Sequence, residues 1–237
     1  HSLEEIYTFF PVKISKNKLK SYLNRTRKHT LGGYNIRSKV SLTKVAKVRN
    51  YLNFVSRFSQ IRLIGLSGSV AMLNAKKTDD IDVFIITAKN RIWTARFIVN
   101  LVAWILGLKR KSGEKRAQNK VCLNLFFDES SLFIQKKYHT NYMAHEVLQM
   151  VPILDVNRSY RRFLLRNDWI RVFCPNVDPK SYYPYHFSPE RYVSKESKND
   201  QKVMGRAIEA FLKKIQIWYM RKPIGDERIE KGQLWFH

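Results

Sequence analysis

Two carboxylates one residue apart, Asp80 and Asp82, stand at the start of an apolar run, Ile81–Thr87. In an extended strand residues i and i+2 project to the same side, so Asp80 and Asp82 point together while Ile81 faces the core. Two such groups near a buried sheet repel each other, and a divalent cation or a proton between them relieves the repulsion. Hard oxygen donors of this kind suit Mg²⁺ (or Mn²⁺), which keeps several waters and shares its shell with substrate phosphates. Two such ions can clamp an in-line phosphoryl displacement. Upstream lies Gly68-Ser69, a glycine turn opening a short helix, where backbone N–H groups and the Ser69 hydroxyl are candidate donors to a phosphate.

The surrounding composition makes the carboxylates conspicuous. From Ile6 to Thr78 there are sixteen Lys or Arg and no acidic residue, and then Asp79, Asp80 and Asp82 follow within four positions. The whole chain of 237 residues has a net charge of +25, which favours a polyanionic partner, RNA more than DNA, through phosphate neutralisation and counterion release. With 44% hydrophobic residues it can build a core, so a wholly disordered chain is excluded. Cys122 and Cys174, 52 residues apart in apolar contexts, make neither a zinc pattern nor a disulfide framework and point to a reducing cytoplasm. The chain begins His1-Ser2 without Met and ends at LWFH, which reads as a trimmed sequence.

The elements that must position these residues follow from periodicity. Residues 3–23 read as two short helices around Pro11, and 24–39, with Gly32-Gly33 and five basic residues, as a loop or basic arm. Val45, Val48, Leu52 and Val55 recur at helical spacing and predict a helix over 40–59 with Ser41 as N-cap. Ile61–Leu66, Ile81–Thr87 and Val121–Phe127 read as strands, with a short helix at Ser69–Ala75. The apolar stretch 91–108 is interrupted by Arg96 and Asn100. At about 17 residues it is short of the roughly 20 needed to span a bilayer, so a core helix and no membrane partner are expected. The basic run 109–120 after it is a solvated loop or a phosphate contact. Helices are expected at Tyr142–Met150, Tyr160–Phe173 and Val203–Tyr219, with 174–200 irregular. In the last helix Met204, Ile208, Phe211, Ile215 and Trp218 form one stripe, read as core. The organisation expected is a basic N-terminal helical segment or arm (1–39), a core (40–138) and a C-terminal helical region (139–237).

The stretch GSVAMLNAKKTDDIDVFII resembles the signature of the DNA polymerase beta-like nucleotidyltransferase superfamily. That signature has Gly followed by Gly or Ser, a spacer, then Asp, a hydrophobic residue, an acid and a hydrophobic residue. Gly68-Ser69 and Asp80-Ile81-Asp82-Val83 match it, while Ser67 departs from the hydrophobic residue usual before the glycine. Residues 40–175 more loosely resemble small bacterial members. The resemblance implies an α+β fold, a small mixed sheet flanked by helices with a C-terminal helical region. It implies transfer of a nucleotide from an NTP to a hydroxyl with release of pyrophosphate. Asp80 and Asp82 would hold the metals, and Gly68 and Ser69 the triphosphate.

A third carboxylate on a later strand is usual in that superfamily. On Val121–Phe127 the matching face is expected to carry Cys122, Asn124 and Phe126, with Asp128 on the same parity at the strand end. Asp128 as a catalytic acid and Asn124 as a neutral ligand remain alternatives; an amide can ligate but cannot act as a base. Weaker candidates are His139, His145-Glu146, the arginines Arg158, Arg161, Arg162 and Arg166, and the aromatics Tyr182, Tyr183 and Tyr185 beside His186. The acceptor expected is an RNA end. A protein or small-molecule acceptor, and a basic nucleic-acid-binding module with an idle metal site, are the alternative readings.

Overall fold

A computed structural model describes residues 3–26, 32–110, 117–184, 206–220, 228–230 and 232–235. The fold is α+β, a mixed sheet with helices on both faces, as expected. In chain order the elements are α1 (Leu3–Thr8), α2 (Lys16–Thr26), α3 (Gly32–Val55), β1 (Ile61–Leu66), α4 (Gly68–Ala71), β2 (Ile81–Thr87), α5 (Ile92–Ile105) and β3 (Val121–Asp128). Then come α6 (Asn141–Gln149), β4 (Val151–Asp155), α7 (Ser159–Arg166), α8 (Arg206–Met220), β5 (Arg228–Glu230) and β6 (Gln233–Trp235). The six strands are ordered β4-β1-β2-β3-β6-β5. β2 and β3 run parallel in the middle, and every other pairing is antiparallel.

The near-continuous apolar β2 is buried on both faces, as central strands are. Ile81, Val83 and Ile85 pack with Val45, Val48, Leu52 and Val55 of α3 and with Val99 of α5. Phe84 and Ile86 face the other way, toward Ala144 and Val147 of α6 and Phe163 of α7. The helical face read from α3 is therefore core. No described helix is long and apolar enough to cross a membrane.

Several expectations are corrected. α3 starts at Gly32, so most of the supposed arm is helical; Ser41 is not its cap but lies inside it, donating to Arg37 O and accepting from Ala75 N. The basic side chains there do not oppose helix formation, and residues 36–40 of the helix are exposed or half-buried, so helix propensity rather than core packing carries this end. Ser69–Ala75 shortens to one turn, Gly68–Ala71, because Leu73 adopts a left-handed φ of 53°. β4 was not anticipated after α6: Pro152 argues against a strand, yet β4 is a sheet edge, where a missing N–H is tolerated. The helix expected over 160–173 ends at Arg166. Asn167, fully buried, turns the chain: its Nδ2 donates to Leu132 O and Phe163 O, and its Oδ1 accepts from Ile134 N and Trp169 Nε1.

The largest correction concerns α8. Its buried contacts are Leu212 and Gln216, whereas Ile208, Phe211, Ile215 and Trp218 are exposed. Met204 lies outside the described residues. Polar docking sets this orientation. Glu209 accepts from the backbone N–H groups of Trp93 and Thr94 at the start of α5, and Gln216 donates to Trp93 O and accepts from Arg96. An anionic group at a helix N-terminus satisfies its orphan donors, so α8 is docked by its polar side.

Asn167→Ala strands four partners, three of them buried. It is expected to destabilise the protein by about 3 kcal/mol, a fall of roughly 6–12 °C in Tm. Thermal melts of the two proteins check this.

Candidate metal and phosphate site

The site grows from the parallel pairing of β2 with β3. Register sets Ile81 beside Val121 and Asp82 beside Cys122. Ile81 and Val121 go into the core, so Asp80, Asp82 and Cys122 emerge together on the opposite face. One ligand atom from each of these three residues lies within 4.8 Å of the others. The side-by-side carboxylates expected from strand alternation are present, and Cys122 joins them.

The loop before Asp80 is held from beneath. Lys44 of α3 is 1% exposed, and its ammonium donates to Lys77 O at 3.0 Å, Asp79 O at 2.6 Å and Asn119 Oδ1 at 3.3 Å. Burial lowers its pKa, and the field of Asp79 opposes that shift. Asp79 closes the loop from the other side, accepting from Lys76 N and from the Ser69 hydroxyl at 2.9 Å. The single hydroxyl proton of Ser69 is therefore given to Asp79 rather than offered to a phosphate.

Gly68 sits against the metal-site carboxylate. Its φ is +61°, and a Cβ there would fall 2.4 Å from Asp82 Oδ2. Both the backbone conformation and the space demand glycine. Ser67 N donates to Asp82 O at 3.0 Å, joining the turn to β2. The glycine turn and the carboxylate pair thus form one surface.

Arg110, beyond α5, supplies the countercharge. Its Nη1 lies 2.9 Å from Asp80 Oδ2 and 3.9 Å from Cys122 Sγ. Burial, with the fields of Asp82 and Asp80, pushes the Cys122 thiol up to about 12, against the opposing pull of Arg110. It is a neutral thiol at physiological pH and contributes no anionic charge. The two carboxylates fit a hard divalent cation, with water and substrate oxygens completing its shell; the neutral thiol adds little for Mg²⁺.

Of the two expected third residues, Asp128 does not complete the site. A β-bulge shifts the β2–β3 register between Val83 and Phe84, whose partners are Leu123 and Leu125. Asn124 falls between these partners, and its side chain is outside the described residues. The bulge also reverses the alternation. Phe126 packs in the α3–α5 core, on the face opposite Cys122. Asp128 pairs with Thr87, five residues along β2 from Asp82, or about 16 Å at the rise of a strand. It is buried and caps a turn, accepting from Asn90 N and Ser130 N. Asp128 is structural here.

Glu146 of α6 is the acid that borders the turn. With Gly68, Ser69, Met72, Asn74, Tyr142 and Gln149 it lines a cavity of about 520 Å³. Burial raises the Glu146 carboxyl, and its hydrogen bond with Tyr142 opposes that rise. The Tyr142 hydroxyl is raised chiefly by Glu146, and also by burial and by the field of Asp82. Sequence spacing does not single out Glu146, because its approach depends on α6 packing against α4.

The remaining candidates lie elsewhere. His145 stacks on Phe9 at 4.6 Å, and His139 on Trp169 at 4.0 Å. Arg162 and Arg166 line a separate cavity of about 1170 Å³ with Asp128, and Arg162 lies 3.5 Å from Glu129. The Tyr182 hydroxyl donates to Leu148 O at 2.7 Å. Tyr185, His186 and residues 111–116 of the basic run are outside the described residues.

Arg110 and a cation compete for Asp80. Arg110→Ala is expected to tighten Mn²⁺ binding about two- to fivefold, the worth of a partly exposed ion pair, and calorimetric titration checks it. An unfolded-state glutamate titrates near 4.3, and burial raises Glu146 above that. The native state therefore pays for ionising Glu146, a penalty complete above its folded pKa and absent below the unfolded one. Glu146→Gln is expected to raise Tm at pH 7.5, with the gain vanishing below about pH 4.

No protein-family model, curated protein or solved structure matches this chain.

Proposed function

We propose that the chain is a divalent-metal-dependent nucleotidyltransferase, moving a nucleotide from an NTP to a hydroxyl acceptor, an RNA end. The observation that carries this reading is the contact between its two halves. The Asp80–Asp82 pair and the Gly68 turn are built against each other, with no room for a Cβ between Gly68 and Asp82. A carboxylate pair alone suits many cations. A pair abutting a bare glycine backbone suits a cation shared with a polyphosphate.

Asp80 and Asp82 would hold the cation. When bound, it neutralises polyphosphate charge and polarises the phosphorus–oxygen bond. Gly68 keeps the turn slim, so that phosphate oxygens can approach the backbone beside Asp82. Arg110 is a planar fork of donors suited to phosphate oxygens, already stationed at Asp80. The acceptor oxygen attacks the α-phosphorus as the bond to pyrophosphate breaks. The proton from the acceptor passes to Glu146, whose raised carboxyl is better able than a solvated one to take it. Cys122 is not a base in this scheme, since its thiol already holds its proton. The net charge of +25 supports a polyanionic acceptor.

Purified protein, Mg²⁺, each labelled NTP in turn and total RNA form the test. Label is expected on RNA, with Asp80→Asn and Asp82→Asn each reducing it at least about a hundredfold. Label on protein instead would change the acceptor. No label on any acceptor, with salt-sensitive RNA binding that survives both substitutions, would replace the enzyme with a binding module.

A further inference from the structure

Two cavities lie at the end of β2 and β3 remote from the carboxylate pair. Asp128, on the wall of the first, pairs with Thr87, about 16 Å along β2 from Asp82. That cavity, of about 1170 Å³, is lined from β3, α7 and α8. The second, of about 520 Å³, is lined from the start of α5 and from α8. They share Asn90, Glu209 and Lys213, so together they form one trough.

Charge in the trough is uneven. Arg162 and Arg166 line it from α7, and Lys89, Arg206 and Lys213 from the other side. Arg162 is paired with Glu129, but Lys89, Arg166, Arg206 and Lys213 are exposed and have no acid partner among the described residues. The carboxylates of the trough are engaged by its own walls. Glu129 accepts from Lys89 N and also faces Arg62. Asp128 accepts from Asn90 N and Ser130 N, and Glu209 from Trp93 N and Thr94 N. A concave wall with an excess of one charge concentrates ions of the other sign. At the rim Phe133, 51% exposed, offers a ring to solvent.

We infer that this trough holds the body of a single-stranded RNA, with phosphates on Lys89, Arg166, Arg206 and Lys213 and an unpaired base on Phe133. A cationic groove with an aromatic side chain is what sequence-tolerant binding of a single strand requires, because every phosphate is charged and every base has a face that stacks. The first cavity alone exceeds the roughly 300–1,000 Å³ that a small ligand fills, so an extended chain suits it better than a single nucleotide. A duplex has its bases stacked on one another and none to offer a ring. A lipid surface is too broad to enter a concave trough. RNA as the acceptor is taken from the proposed function, whereas the transfer chemistry at Asp80 and Asp82 is not needed for the trough to bind.

The test is fluorescence anisotropy of a labelled single-stranded RNA with the full chain, over a series of salt concentrations and without NTP or divalent metal. Arg166→Gln with Lys213→Gln is expected to weaken binding about tenfold and to make the salt slope shallower by about 1.4, the loss of two phosphate contacts. Arg161→Gln with Lys214→Gln removes the same charge from exposed positions on the same two helices that do not line the trough. That pair is expected to change affinity less than about twofold, the effect of screened distant charge. Phe133→Leu is expected to weaken RNA binding at least about fivefold, the loss of one stacked base, and to leave binding of heparin, a polyanion without bases, unchanged. Unchanged circular dichroism spectra verify folding of each variant. Equal losses from the two double variants would reduce the contact to net charge and overturn the trough. So would equal losses of RNA and heparin in Phe133→Leu, or no RNA binding by the unaltered chain. Polyglutamate bound as tightly as RNA at the same salt would assign the trough to an acidic protein segment instead. Asp80→Asn is expected to keep full RNA affinity, so failure of the transfer chemistry and failure of the trough give different results.

Discussion

A lysine ammonium sealed inside the protein underlies the arrangement. Burying a charge is costly unless every donor is matched, and Lys44 matches its donors with two carbonyls and one side-chain amide. Those acceptors lie immediately before Asp80 and at the approach to β3. One side chain of α3 therefore ties the entrances of both central strands. With the entrances held, parallel pairing sets Asp82 beside Cys122, and the alternation of β2 brings Asp80 to the same place.

The second constraint is repulsion. Two carboxylates close together need positive charge, and the fold supplies it at the surface through Arg110. Arg110 is solvated and partly exposed, so its hold on Asp80 is modest and exchangeable. The opposite side of the pair is closed by the Gly68 backbone, where no larger residue fits. The carboxylates thus have an exchangeable cation on one flank and an unencumbered peptide turn on the other. That asymmetry supports the proposed pairing of a cation with a polyphosphate.

Much of the frame was legible in residue patterns. The apolar face Val45, Val48, Leu52, Val55, the strands β1, β2 and β3, and the common direction of Asp80 and Asp82 follow from periods of 3.6 and 2. These are local consequences of backbone geometry. The failures have a common cause, which is that a pattern names a face but not what that face meets. The stripe on α8 is real, yet Glu209 and Gln216 dock the helix by another side and leave the stripe outside. Residues 151–155 were given no element, and the strand they form accommodates Pro152 because it lies at a sheet edge. A one-residue bulge in β3 cancels the parity argument that put Asp128 with Asp82.

By itself the sequence determined the helical and strand patterns of the frame, a strong positive charge, and an isolated acid pair downstream of a glycine turn. Each is carried by composition or by spacing along a single element. The tertiary structure alone decided which other groups meet that pair. Cys122 arrives through inter-strand register, Arg110 from beyond α5, and Glu146 borders the glycine turn because α6 packs on α4. Strand parity had put Cys122 on the matching face, but Arg110 and Glu146 have no sequence spacing that announces them, because their proximity depends on how separate elements pack.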